Sequence, residues 1–410
     1  MNFDFSLSGN GINKNIDLCI IDNRFERLTI STQLGIPKAE WDYEKQRPYN
    51  IYRKKNKLLN KKLDTIKVIL SEYIESTILQ KKKVTSKKIE DIINIICFQN
   101  NFENSEDSLL FYIDQYISTR YGIICSSTYK RYKVFYNLIE RFEGFLQSKI
   151  KIDKIDNNFA KEFLLFGRNE SYSEATIFRT LKFIRTILNF IEKQGKATSI
   201  RNFEFKKEKQ EKELITLNEE ELLRIKNTKV PETLQSSKDW LLISCYTGQR
   251  ISDFMNFSKD KLLEIEGKLC INFTQQKTGK NIFLPLHPIV LEIINKNNNN
   301  FPKPLSPHVY NRNIKKIGKI AHIDTKIKAR KRIGHRVKNL NIEKWEALTS
   351  HIGRRSFATN FYGKIPTSLL INATGHGTEK MFLNYINPID KDQILGLGRY
   401  FEQTYNPKTR

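Results

Sequence analysis

The chain has 410 residues, with 70 Lys and Arg against 45 Asp and Glu, for a formal net charge of +25. That length predicts two or three domains with sizeable cores. The cationic excess, spread along the whole chain, points to a polyanionic partner with nucleic acid first, although charge alone serves equally for a generally basic or ribosome-associated protein. No apolar run reaches the roughly 18 residues of a membrane span, and MNFDFSLSGN lacks the form of a signal peptide. Five cysteines (Cys19, Cys97, Cys125, Cys245, Cys270) are odd in number and widely spaced. They show neither a disulfide framework nor a metal-ligand spacing, and fit reduced thiols in the cytoplasm.

Residues 1–100 read as a small domain. IDLCIID and RLTIST cluster β-formers around a turn at Asn23-Arg24, which predicts a short hairpin. A long helix follows Trp41, with Leu59, Leu63, Ile66, Leu70 and Tyr73 on one face. Its polar side carries Lys54, Lys55 and Lys61, either a solvated face or a phosphate-gripping one. Residues 105–200 read as all helix, with candidates over 109–117, 128–146, 159–166 and 174–193. The last is marked by the narrow stripe Ile177, Leu181, Ile184, Leu188 and Ile191. Lys130 and Arg131, in a basic and aromatic run, and Arg179 and Lys182, off the stripe, are candidate DNA contacts or plain surface. The polar stretch 201–214, RNFEFKKEKQEKEL, predicts a linker.

The final domain spans 215–410. Thr216 and Glu219 fit a capping box. Around Trp240 and Cys245 the pattern predicts a buried helix, in which Gly248 either costs about 1 kcal/mol relative to Ala or marks the helix end. Two strands over 269–274 and 282–286 flank Lys277-Thr278-Gly279-Lys280, placing Lys277 near a hairpin tip. The segment 324–348 is strongly basic, and reads as a further DNA contact or as an exposed insertion. Next, Thr349 or Ser350 caps a helix with His351 and Arg354 in its first turn, where unpaired N–H groups and the helix dipole suit a phosphate. Pro366 and Gly375 bracket a second helix. His376 follows, and a third helix opened by Thr378 carries Met381, Phe382, Tyr385 and Ile386. Taken singly, His351 and Arg354 are a solvated pair and Tyr385 is a core aromatic.

Together they resemble something more specific. His351-x-x-Arg354, then Gly375-His376, then Tyr385 nine residues later is similar to the C-terminal signature of the tyrosine recombinases, the phage integrase family. Upstream, Thr247-Gly248-Gln249-Arg250 with Asp253 three residues on resembles that family's first arginine motif. Lys277 resembles its β-hairpin lysine, with Lys280 as a rival. More loosely, the pattern from Ser31-Thr32 through Trp41-Asp42 to Arg47 resembles the arm-binding domain in integrases of Bacteroides-type mobile elements. The resemblance implies a mainly α fold with small β elements (α+β): an arm-type DNA-binding domain (1–100), a helical core-binding domain (105–200), and a mixed α/β catalytic domain (215–410). The tail after Tyr385 would dock on a neighbouring protomer.

The implied chemistry is DNA strand cleavage and rejoining. Tyr385 attacks the scissile phosphate, leaving a 3′-phosphotyrosine and a free 5′-hydroxyl. His351 helps the phenol lose its proton, and Lys277 protonates the departing oxygen. Arg250, Arg354 and His376 hold charge on the non-bridging oxygens, and Asp253 supports them. The phosphotyrosine keeps the energy of the broken bond, so no cofactor, ATP or metal is implied. The sequence agrees in having no P-loop and no carboxylate cluster spaced for Mg²⁺. Implied partners are double-stranded DNA at attachment sites, a Holliday junction, a homotetramer formed on DNA by a chain monomeric without it, and accessory bending or directionality proteins. The implied setting is the bacterial cytoplasm, at the nucleoid. Type IB topoisomerase-like strand passage, a DNA-binding regulator without catalysis, and a basic structural protein are the alternatives.

Overall fold

The computed structural model describes residues 1–22, 25–50, 53–98, 105–206, 214–333 and 336–386. The chain divides into two compact units, Met1–Lys209 with Arg332–Lys338 and Gln210–Lys331 with Asn339–Arg410. It is a mainly α fold with small antiparallel sheets. The division falls inside the predicted linker 201–214, of which 207–213 lie outside the described residues, as do the Asn23-Arg24 turn and the tail after 386.

The first unit opens with three antiparallel strands, β1 (Asn2–Ser8), β2 (Asn13–Asp22) and β3 (Phe25–Pro37), in sheet order. The expected hairpin is therefore part of a larger sheet, which β1 extends through the apolar alternation of FDFSLS that the sequence reading passed over. Phe3, Phe5, Ile16, Leu18 and Ile20 face a core shared with Trp41 and helix α1. A two-residue pair, β4 (Trp41–Asp42) with β5 (Arg47–Pro48), precedes α1 (Lys54–Leu79), and α2 (Ser86–Phe98) follows. Of the predicted α1 face, Leu63, Ile66 and Leu70 are buried and Leu59 and Tyr73 partly so, with Ile74 buried beside them.

Four helices then form a bundle: α3 (Leu109–Thr119), α4 (Ser126–Leu146), α5 (Asn157–Asn169) and α6 (Glu174–Lys193). Caps set their starts. Ser108 accepts from Phe111 N, Asp156 from Asn158 N and Phe159 N, and Ser173 from Thr176 N. Their core is largely aromatic, Phe142 packing edge-on against Phe159 and Phe163. Helix α1 crosses α4 at Gly144, where an added Cβ would meet Asp64 Cβ at 2.5 Å. Beside that crossing Arg47 Nη2 donates to Asp64 Oδ1 (2.6 Å) and Arg141 Nη2 to Glu170 Oε2 (2.8 Å).

In the second unit, α7 (Glu219–Asn227) leads to α8 (Glu232–Thr247), the hub of the core, with nearly every residue of its second half buried. The capping box is Asn218 with Glu221, not Thr216 with Glu219: Glu221 N donates to Asn218 Oδ1, and Asn218 N to Glu221 Oε2. Leu217, one position earlier, is fixed from outside, donating its N–H to Ser356 Oγ. A short α9 (Ile251–Phe254) is followed by the sheet β6 (Leu262–Ile265), β7 (Lys268–Thr274) and β8 (Asn281–Pro285), in that order. Helices α10 (Pro288–Lys296) and α11 (Pro307–Ile320) complete the scaffold.

The basic segment, read as a further DNA contact or an exposed insertion, is a two-stranded antiparallel hairpin, β9 (Lys326–Ile333) with β10 (Arg336–Glu343). Lys344 closes its base through an ion pair with Glu221 (2.7 Å). The chain ends in α12 (Ile352–Phe361), α13 (Thr367–Thr374) and α14 (Glu379–Leu383). Helix α12 lies tightly against α8, since a Cβ at Gly353 would meet the Ser244 backbone carbon at 2.7 Å. Among the described residues no helix is long and apolar enough to cross a membrane.

Candidate active site

The site grows from the place where α8 stops. Gly248 caps that helix with φ +67°, and any Cβ would strike the Phe357 ring at 2.5 Å, so glycine meets both a conformational and a spatial demand. The helix therefore ends, and the next two side chains turn to different work. Gln249, fully buried, donates from Nε2 to the carbonyls of Thr247 (2.8 Å) and Ala373 (2.7 Å). Arg250, half-buried, donates from Nη1 to Gln275 Oε1 (3.1 Å). Asp253 does not pair with Arg250. Its Oδ1 accepts from the Gln276 N–H (3.0 Å), tying α9 to the loop that carries Lys277, while its Oδ2 is buried with no hydrogen-bond partner among the described residues.

Arg354 is completely buried, a costly place for a cation. Its Nη1 donates to the Gly248 carbonyl and its Nη2 to His376 Nε2, each at 3.0 Å. A guanidinium can only donate, so His376 Nε2 accepts, and the proton sits on Nδ1, toward Thr374 Oγ1 at 2.7 Å. Thr374 in turn donates to the Leu370 carbonyl (2.6 Å). Burial, then the charges of Arg354, Arg250 and Lys280, push His376 down to about 3, which keeps the ring neutral. His376 is thus a buttress for Arg354, where sequence reading made it a further donor to a ligand. Burial and the Arg250 charge lower Arg354 to about 10, still cationic at neutral pH.

Tyr385 lies against this pair. Its ring centroid is 5.6 Å from Arg354 Cζ and 4.9 Å from the His376 ring centre. It stands past the end of α14, which closes at Leu383, and so does not ride on the helix as expected. The Thr378 side chain caps that helix as anticipated, accepting from Met381 N. Phe382 on that helix and Ile386 beyond it are buried against Phe357, Ala358 and Leu370, and hold the half-buried Tyr385 between them.

His351 is itself the N-cap of α12, with no side-chain cap bond; neither Thr349 nor Ser350 fills that place. Ser350 N–H is instead taken by Asn311 Oδ1 (2.7 Å). His351 is exposed while Arg354 is buried, so the two do not share a solvated face. Crowding by neighbouring atoms, then the cations Arg355, Arg354, Arg250 and Lys277, lower its pKa and favour the basic imidazole. Lys277 is exposed in the loop between β7 and β8 and has no hydrogen-bond partner among the described residues; its rival Lys280 donates to the His376 carbonyl (3.0 Å).

The structure brings Arg250, Arg354, His376 and Tyr385 together. The surface candidates lie in the first unit. Lys54, Lys130, Arg131, Arg179 and Lys182 are exposed. Lys55 and Lys61 are drawn into ion pairs with Glu40 (3.2 Å) and Glu140 (3.0 Å). Sequence reasoning missed Gln249, Gln275 and Thr374. Gln275 precedes Lys277 by two residues in a polar loop, and nothing in its neighbours signals that it is fully buried. Among the described residues no group of three or more His, Cys, Asp or Glu side chains could hold a metal.

Residues 108–205, the four-helix bundle, match the phage integrase SAM-like domain. Over 72% of its length the chain resembles the Tn1549 transposon integrase in complex with a circular intermediate DNA, at 16% identity and a TM-score of 0.53, covering 100% of that chain. The chain has the tyrosine recombinase fold. The XerH site-specific recombinase bound to a palindromic difH substrate shares it, at 15% identity and a TM-score of 0.50, over 84% of this chain and 96% of that one. No curated protein matches the chain by sequence. In this recombinase fold, α8 and α12 to α14 are the elements that gather the arginines, His376 and Tyr385.

Proposed function

We propose that this chain is a site-specific recombinase, an integrase that cleaves and rejoins DNA strands through a 3′-phosphotyrosine at Tyr385. The observation that carries the reading is the fully buried Arg354, held between the Gly248 carbonyl and a neutral His376 with the Tyr385 ring against it. A buried guanidinium beside a phenol suits a reaction in which negative charge gathers on phosphoryl oxygens next to the nucleophile. Arg250, held by a neutral amide, keeps its charge for the same phosphate. His351, with its lowered pKa, takes the phenol proton, and Lys277 gives one to the departing 5′-oxygen, which leaves as a hydroxyl. Asp253 holds the Lys277 loop through Gln276 N.

The DNA partner is supported by the +25 charge, by the exposed cations on α4 and α6, and by the DNA-bound state of the Tn1549 and XerH proteins. We assign 1–100 to arm-site binding, 105–200 to core-site binding and 215–410 to catalysis. Strand exchange between two duplexes calls for four protomers and a Holliday junction, with accessory proteins setting direction, in a bacterial cell at its DNA.

The test is a nicked, labelled Holliday junction, or the element's own junction DNA, incubated in EDTA with wild type and with Tyr385→Phe. A protein–DNA adduct on a denaturing gel in wild type alone is the expected result. DNA binding without an adduct in either protein sinks the reading and leaves a DNA-binding regulator.

A further inference from the structure

Gln275 has a place in the site that the proposed chemistry leaves unused. It is fully buried, the first residue after β7, and it opens the loop that carries Lys277. Its backbone closes that loop: its N–H donates to the Lys280 carbonyl (2.8 Å), and its carbonyl accepts from the Gly279 N–H (2.9 Å). The side-chain amide points the other way, into the site. Oε1 accepts from Arg250 Nη1 (3.1 Å) and from Thr278 Oγ1 (2.7 Å). Nε2 donates to Gln249 Oε1 (3.0 Å) and to the Thr374 carbonyl (2.9 Å).

The orientation of this amide is forced. A guanidinium only donates and a backbone carbonyl only accepts, so the oxygen must face Arg250 and the nitrogen must face Thr374. Both amide hydrogens and both oxygen lone pairs are then used, which a buried polar group requires. Gly375 makes the room, since a Cβ there would lie 2.5 Å from Gln275 Oε1. A glutamate at 275 would set oxygen against two acceptors, Thr374 O and Gln249 Oε1. It would also neutralise Arg250, whose guanidinium makes its one hydrogen bond among the described residues to this neutral amide.

We propose that Gln275 is the positioning residue that aims the Arg250 guanidinium and couples its aim to the conformation of the Lys277 loop. One rigid amide joins the α8 exit, the loop and the turn that carries His376. When Thr278 and Gln275 are engaged, the loop is closed and Arg250 is held; when the loop opens, the arginine loses a partner in the same step. The inference rests on the strand-cleavage reading of the site.

The experiment measures single-turnover adduct formation at saturating DNA for wild type, Gln275→Ala, Gln275→Glu and Thr278→Val. Each is tested on a normal scissile phosphate and on a methylphosphonate, whose neutral methyl group replaces one charged oxygen. Gln275→Ala is expected to slow cleavage of the phosphate about 10- to 100-fold, less than loss of a whole donor, with DNA affinity unchanged. On the methylphosphonate, where there is little charge for Arg250 to hold, the variant should fall within about threefold of wild type. Thr278→Val, which removes only the loop's hydroxyl, should show a smaller loss in the same pattern, and it carries the comparison if Gln275→Ala does not fold. Full activity of Gln275→Ala on the phosphate overturns the proposal, and so does an equal loss on both substrates, which is the mark of a merely structural residue. A wild type that forms no adduct on either substrate overturns the strand-cleavage reading and this inference with it.

Discussion

The four-helix bundle of the first unit and the site of the second bury opposite kinds of side chain. The bundle closes on rings and branched aliphatics such as Phe142, Phe163, Ile184 and Leu188. Its candidate DNA contacts Lys130, Arg131, Arg179 and Lys182 are left to solvent. Around Tyr385, by contrast, Gln249, Gln275, Arg354, Thr374 and His376 are as inaccessible as any leucine. The bundle gains stability from apolar burial, which tolerates conservative exchange. The site spends buried hydrogen bonds on holding one cation still, and each of those bonds matters because its partner cannot turn to water. The same chain thus contains a region where shape is enough and a region where atom-by-atom pairing is needed.

The sharpest break in this comparison is Arg354→Lys. It keeps the charge but loses the fork that reaches both Gly248 O and His376 Nε2, so cleavage at saturating DNA should fall roughly 10²–10³-fold. Phe142→Leu in the bundle should cost roughly 0.5–3 kcal/mol in denaturant titration while leaving that rate unchanged. Equal effects on the rate would erase the distinction.

Two buried titrating groups give the regions opposite pH responses. His376 is lowered to about 3 when folded from an ordinary 6.5. As pH drops below 6.5 the unfolded chain takes up a proton that the folded site refuses. Stability should therefore fall by about 1.4 kcal/mol per pH unit down to about 3. Glu143, buried on α4 and accepting from Ile150 N, is raised by burial to about 8 from 4.5. There the folded form holds its proton while the unfolded one releases it. Its contribution is fully present below 4.5 and is lost at a similar slope as pH rises from there through about 8. His376→Gln should remove the rise in stability between about pH 3 and 6.5, and Glu143→Gln the fall between 4.5 and about 8, each read from urea midpoints across pH. Crossed effects would refute both assignments.

Two helix crossings, one in each unit, sharpen the comparison further. Gly353→Ala on α12 and Gly144→Ala on α4 each place a Cβ within 2.7 Å of a neighbour, and each should cost about 1–3 kcal/mol. Only Gly353→Ala should also slow cleavage, because α12 carries Arg354. The smallest effect belongs to the surface. Lys130→Ala should weaken DNA binding evenly across sequences and reduce the salt slope by about 0.9, whereas Lys61→Ala, already paired to Glu140, should change it less.

The sequence alone determined the helices of the bundle, since a stripe such as that from Ile177 to Ile191 is a local signal within a turn or two. It also named Arg250, Arg354, His376 and Tyr385, whose spacing is a pattern in the chain itself. It misplaced the caps at Asn218 and His351, because neighbouring polar residues offer the same capping chemistry and tertiary bonds from Ser356 and Asn311 choose among them. It could not say that His376 accepts from Arg354, or that Gln275 holds Arg250. Those facts depend on which donors and acceptors meet after α8, the β7–β8 loop and α13 pack together, across separations of 22 to 99 residues of chain. Periodicity reports which side chains leave water; only the packed structure decides which polar atoms they find there.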